Sequence, residues 1–211
     1  MSKLWTFGDS FTAGNGQLPG EAYTSYKKSE EDIIWPLIVS QRLEIELVNR
    51  GMGLFSNDKI LDSIITAYDF IEGGDLVIIG KTFPFRVDIP NKTDDELLTV
   101  APNHFTAIQN RYSKVEIKNI NETLVLFDSE MIRRRQDLRF NFLKQLINQR
   151  ANCIIWSSGL FDKFETIRQA TDHFLDDSHW SYKGHRDFAD FVLNEIAGNN
   201  LTSPKLKNKL I

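Results

Sequence analysis

Asp75-Leu76-Val77-Ile78-Ile79-Gly80 is the stretch that decides the fold of this 211-residue chain. Its four consecutive apolar residues form a run too short for a helix, and they predict a central strand of a parallel sheet. Upstream, Gly73-Gly74 stops a helix expected from the N-cap chemistry of Ser56-Asn57-Asp58 to about Ile71. Its apolar positions Ile60, Leu61, Ile64, Ile65 and Tyr68 recur at helical spacing. A second strand is expected at 45–48, and before it a helix over 32–43 in which Pro36 is tolerable near the first turn. Leu4-Trp5-Thr6-Phe7 reads as the first strand.

Downstream of Gly80 the pattern dissolves into prolines, polar clusters and scattered aromatics, so 81–121 reads as an irregular insertion and a candidate carrier of substrate contacts. A long helix over 128–150, a fourth strand at 152–156 and a helix after Gly184 follow, the last with Phe188, Phe191, Val192 and Ile196 on its inner face. Strands alternating with amphipathic helices define an α/β fold. The expected organisation is one domain over 1–200 and a loosely ordered basic tail over 201–211 carrying Lys205, Lys207 and Lys209.

Composition narrows the function classes. Lys and Arg number 25 against 29 Asp and Glu, a net charge of −4 that gives no attraction for a polyanion, so no nucleic-acid partner is expected. The one cysteine, Cys153, cannot form an internal disulfide, and its neighbours Ile154-Ile155-Trp156 predict a buried inert thiol. There is neither a signal-peptide pattern nor an apolar run of spanning length, which points to a cytoplasmic protein without a membrane partner. No His/Cys/Asp/Glu grouping has metal-ligand spacing and no Gly-rich phosphate loop occurs, so no metal or cofactor is expected.

Two separated segments carry chemistry. Gly8-Asp9-Ser10 follows the first strand directly, which puts the serine hydroxyl at the C-terminal edge of the sheet, where active sites of open parallel sheets form. Gly-Asp-Ser alone is also a common turn. At the other end, Asp176-Asp177-Ser178-His179 places an acid three residues before a histidine. That carboxylate can accept the imidazole Nδ1 proton and leave Nε2 to take a proton from a serine. Asp177 competes for the acid's role. His104, His173 and His185 lack an acid so placed, and His185 reads as a helix-start residue bonding to backbone. Arg133-Arg134-Arg135 reads as a solvated helix surface, whereas Arg86 is a candidate for steering an anionic or polyhydroxyl substrate.

These blocks, in this order, resemble the SGNH (GDSL-like) serine hydrolases from Phe7 to about Ala197. Phe7 to Gly14 is similar to the family's first block, and Val48-Asn49-Arg50-Gly51-Met52-Gly53 with Ser56-Asn57-Asp58 to its second. Asp176 to His179, with Gly184-His185 downstream, resembles its fifth. The resemblance implies a flavodoxin-like three-layer α/β/α sandwich with about five parallel strands. It also implies a triad of Ser10, His179 and Asp176, and an oxyanion held by the N–H groups of Ser10 and Gly53, with Leu54 as the alternative to Gly53. The third block departs: the family's Gly-x-Asn-Asp is here Gly80-Lys81-Thr82-Phe83, so the Asn amide is missing and the Thr82 hydroxyl is its candidate replacement. The implied activity is hydrolysis of carboxylic esters, with O-acyl groups on carbohydrates as a plausible substrate class. An acyltransferase using the same serine and a non-catalytic carbohydrate-binding or structural protein are the rivals.

Overall fold

The computed structural model of the chain describes residues 2–14, 34–92, 97–102, 108–126, 129–157, 180 and 182–198. Four parallel strands form its main sheet: β1 (Lys3–Phe7), β2 (Glu46–Asn49), β3 (Leu76–Lys81) and β6 (Asn152–Ser157). They lie side by side in the order β2-β1-β3-β6. This is the flavodoxin-like progression, and among the described residues it comprises four strands rather than about five.

Every residue from Leu76 to Ile79 is buried, so both faces of β3 need cover. Side chains alternate between the faces with the period of a strand. Leu4, Leu76 and Ile78 pack with Trp35, Ile38, Val39 and Leu43 of α2 (Trp35–Leu43) and with Phe188, Val192 and Ile196 of α6 (Tyr182–Gly198). Trp5, Phe7, Val77 and Ile79 pack with Ile60, Leu61 and Ile64 of α3 (Asn57–Ala67) and with Phe140, Leu143 and Ile147 of α5 (Ser129–Ile147). Two helices on each face make the three layers.

Local chemistry sets the helix ends. Ser56 caps α3 by accepting from Lys59 N at 3.1 Å, and Pro36 occupies the first turn of α2, where its missing N–H costs nothing. The described part of the expected helix over 32–43 begins at Ile34, whose extended backbone serves as the N-cap. The helix expected to reach Ile71 ends as a 3-10 turn at Tyr68–Phe70. At the N-terminal edge of the sheet, buried Asp75 accepts from Lys3 N and Trp5 Nε1, each at 2.8 Å, and from Glu72 N at 3.0 Å.

The segment read as irregular is not so. It holds an antiparallel hairpin of β4 (Val87–Pro90) and β5 (Leu97–Val100) and a helix α4 (Lys114–Val125). Val100, Ile108 and Leu124 form a small core of their own against Val87, Ile89 and Leu98. Ser113 and Glu116 close a capping box at the start of α4, and with Lys92 they hold the Glu116 carboxyl down at about 2, the lysine hydrogen bond contributing most. The basic tail lies outside the described residues. Among those described, no helix is long and apolar enough to cross a membrane.

Candidate active site

From β1 the chain runs to β2 on one side, and from there to β3 on the other side of β1, so the strand order reverses between β1 and β3. Ligands of open α/β sheets bind at the carboxyl ends of the strands at such a point. Ser10 follows β1 there and Thr82 follows β3.

The Ser10 turn is fixed from within. α1 (Ser10–Ala13) is a single turn of helix capped by Asp9, whose Oδ1 accepts from Phe11 N at 3.1 Å and whose carbonyl accepts from Thr12 N and Ala13 N at 2.9 Å. Ser10 is the first helical residue and half-buried; its N–H belongs to the first turn, which has no intrahelical acceptor. Gly8 is required by close packing, because a Cβ there would lie 2.2 Å from Thr12 Oγ1.

The second block is tied to this turn. Met52 N donates to Gly8 O at 3.0 Å and Arg50 N to Thr6 O at 2.8 Å. Asn49 accepts from Thr6 Oγ1 and Gly51 N through Oδ1, and its Nδ2 donates to Thr12 O at 3.0 Å. A Cβ on Gly51 would stand 2.7 Å from Ala13 N, so only glycine lets the loop approach α1 so closely. Gly53 and Leu54 both ride on this loop. Gly53 is half-buried, whereas Leu54 is 56% exposed with φ at +65°, a left-handed conformation unusual for leucine.

The third block is organised differently from expectation. Thr82 is buried, and Asn57 clamps its backbone, accepting from Thr82 N at 2.8 Å and donating to Thr82 O at 3.0 Å. Its hydroxyl donates to Asp9 Oδ2 at 2.6 Å, so that hydrogen is directed at the carboxylate and not at an incoming oxyanion. Arg86, expected to steer substrate, also turns to Asp9: its Nη1 lies 3.1 Å from Oδ2 and 3.3 Å from Phe55 O, and the side chain is only 17% exposed. The reason is electrostatic. Asp9 is 2% exposed, and a carboxylate so far from water needs a counter-charge and hydrogen-bond donors.

His179, Asp176, Asp177, His104 and His173 lie outside the described residues. Trp180, which follows His179 in the chain, does not. Its ring lies 5.0 Å from that of Phe11, the residue after Ser10, and 5.9 Å from Trp156. His185 is buried, with its ring edge-on to Trp180 and its Nδ1 accepting from Trp35 N at 3.4 Å, the backbone role read from the sequence. Arg133 and Arg134 pair with Glu130 on the exposed face of α5.

Cys153 is buried on the sheet, and burial pushes its thiol up to about 12 against a smaller opposing pull from Lys144. Among the described residues, no group of His, Cys, Asp and Glu is arranged to hold a metal ion. Read from the sequence, Asp9 has no task of its own and Asn57 has only a place in the helix cap Ser56-Asn57-Asp58. A polar residue inside a motif and buried in a compact turn was the available signal.

Fold and site together define a three-layer α/β protein with a serine on the turn after the first strand. No protein-family model matches the chain, and a search of curated proteins finds no match. Among solved structures, it is similar to a member of the lipolytic protein G-D-S-L family from Veillonella parvula, at 12% identity over 92% of this chain and 97% of that one, with a TM-score of 0.44. It is similar to the psychrotrophic esterase EstA from Pseudoalteromonas sp., at 14% identity over 93% and 97% of the two chains, with a TM-score of 0.44. A catalytic mutant of an acetylxylan esterase from Geobacillus stearothermophilus matches at 15% identity over 92% and 94%, with a TM-score of 0.41.

Proposed function

We propose that the chain is a serine esterase in which Ser10 is the nucleophile, His179 the base and Asp176 the carboxylate that orients it. The observation that carries this reading is the contact between Trp180 and Phe11. One peptide unit separates Trp180 from His179, and another separates Phe11 from Ser10. Neighbouring Cα atoms stand about 3.8 Å apart, so the packed aromatic pair supports a reading in which the histidine before Trp180 serves the serine before Phe11. The motif order, serine first and Asp-x-x-His last, suits that closure.

In the proposed reaction Ser10 Oγ attacks the ester carbonyl carbon while His179 Nε2 takes its proton. The carbonyl oxygen becomes an oxyanion held by the N–H groups of Ser10 and Gly53. Collapse breaks the bond to the alcohol, which leaves with the proton from His179. Water, giving a proton to the same imidazole, then attacks the acyl-serine; collapse breaks the acyl–Oγ bond, the acid leaves, and Ser10 Oγ takes the proton back from His179. Asp176 stabilises the imidazolium in both halves. Thr82 and Arg86 work one step removed, by holding Asp9 and through it the turn that presents Ser10. Carboxylic esters are the proposed substrates, with O-acetyl groups on carbohydrate as the finer assignment.

The test is covalent. A fluorophosphonate probe should add one adduct to the wild-type mass and none to Ser10→Ala, and Ser10→Ala should lose nearly all hydrolysis of p-nitrophenyl acetate. A Ser10→Ala protein that still takes up the probe, or keeps more than a tenth of the activity, overturns the reading.

A further inference from the structure

At the carboxyl ends of β3 and β6, a cleft of about 350 Å³ is lined, apart from Asn57 and Thr82, by residues that the proposed chemistry does not use. That volume is at the low end of ligand pockets, which run to about 1,000 Å³. Thr82 lines it, and the Thr82 hydroxyl bonds to Asp9, so one lining residue of the cleft is in contact with the residue preceding the nucleophile. Phe83 and Phe85 supply an aromatic wall, their rings stacked with centroids 5.3 Å apart and planes at 19°. Phe85 is 39% exposed.

The charges lining the cleft decide what it can hold. Lys81 pairs with Asp137 and Arg133 with Glu130, each at 2.5 Å, so cations and carboxylates balance. An anionic ligand would have to pull a cation from its carboxylate, and an acyl chain would cover these ion pairs without giving them hydrogen bonds. A neutral polyol meets neither obstacle. Each hydroxyl both donates to a carboxylate and accepts from an ammonium or guanidinium, and the C–H face of a sugar ring suits the negative face of an aromatic ring.

We propose that this cleft binds a neutral pyranose, the alcohol side of the ester, in an assignment that rests on the esterase reading above. Phe85 is the platform for the ring, and Asp137 and Arg133 are the hydroxyl partners.

The experiment pairs kinetics with binding. Vinyl acetate and 6-O-acetyl-D-glucose present the same acetyl group on alcohols without and with a pyranose that keeps its other hydroxyls. Phe85→Ala, a truncation at an exposed position, should lower kcat/KM for 6-O-acetyl-D-glucose relative to vinyl acetate by about tenfold, mainly through KM, as expected for a contact contributing about 1.4 kcal/mol. Asp137→Asn should move the ratio the same way. Independently of turnover, saturation transfer from Ser10→Ala protein to methyl β-D-glucopyranoside should be seen and should vanish when Phe85→Ala is added. An unchanged kinetic ratio, no saturation transfer, or transfer that survives Phe85→Ala overturns the assignment. A wild type that hydrolyses neither ester sinks the esterase reading instead, and the binding contrast then decides the cleft by itself.

Discussion

Thr82→Val separates two roles for the residue that stands where the resembling motif has an asparagine. Valine keeps the β-branched shape, so the backbone clamp by Asn57 is preserved. What is lost is a hydrogen bond of 2.6 Å from a buried hydroxyl to Asp9 Oδ2. A hydrogen bond to a charged group contributes about 1.5–3 kcal/mol. Arg86 remains on the same oxygen at 3.1 Å, so the carboxylate is not left bare and a loss of about 2 kcal/mol is the reasonable centre of that range. In a chain of this size that lowers Tm by about 4–8 °C. The turnover number should fall only a few-fold, because the hydroxyl acts through Asp9 on the Ser10 turn. A hydroxyl that met the oxyanion directly would behave in the opposite way, costing about 10²–10³ in kcat with little change in Tm. Thermal unfolding followed by circular dichroism, together with steady-state kinetics on p-nitrophenyl acetate, reads both quantities. A drop of a hundredfold or more in kcat at unchanged Tm would refute the reasoning.

Three further outcomes are expected. His179→Ala should lose activity as completely as Ser10→Ala, and the double variant should be no slower than the worse single one, because the two act as a unit; multiplicative losses in kcat would contradict this. Asp176→Asn should slow hydrolysis far more than Asp177→Asn, since the carboxylate three residues before the histidine is the one that can fold back onto its ring, and an equal or reversed ranking moves the role to Asp177. With its thiol pushed up to about 12, Cys153 holds only about one part in ten thousand as thiolate at pH 8, so the native protein should resist iodoacetamide while the urea-unfolded chain reacts; equal rates would show the site to be open.

What could be read from the sequence divides along a physical line. Leu76 to Ile79 was legible because burial on both faces leaves a local trace, an unbroken apolar run. α3 was legible because one face is buried and its cap, Ser56, is adjacent in sequence. The β4–β5 hairpin was not, because its strands have four residues each and find their apolar partners at Ile108 and Leu124, beyond any local window. α4 had a readable start in the Ser113-x-x-Glu116 box, which scattered prolines and polar residues nearby outweighed. The same division runs through the site. Ser10 stands in a motif, whereas the ties of Asp9 to Thr82 and Arg86 span 73 and 77 residues, and the turn Thr82-Phe83-Pro84-Phe85-Arg86 has no feature that names its partner.

Those ties bear on how a site can run without the amide of the third block. Here the threonine turns to Asp9 and the Arg86 guanidinium joins it, so both side chains serve one buried charge. The compensation is electrostatic: the carboxylate is neutralised in place, and the turn carrying Ser10 is held from the β3 side as well as by the second-block loop on the β2 side. On the proposed mechanism the oxyanion then relies on backbone donors alone. Backbone N–H groups on a turn clamped from both flanks need no reorganisation when charge develops, which is the condition under which such donors stabilise a transition state most.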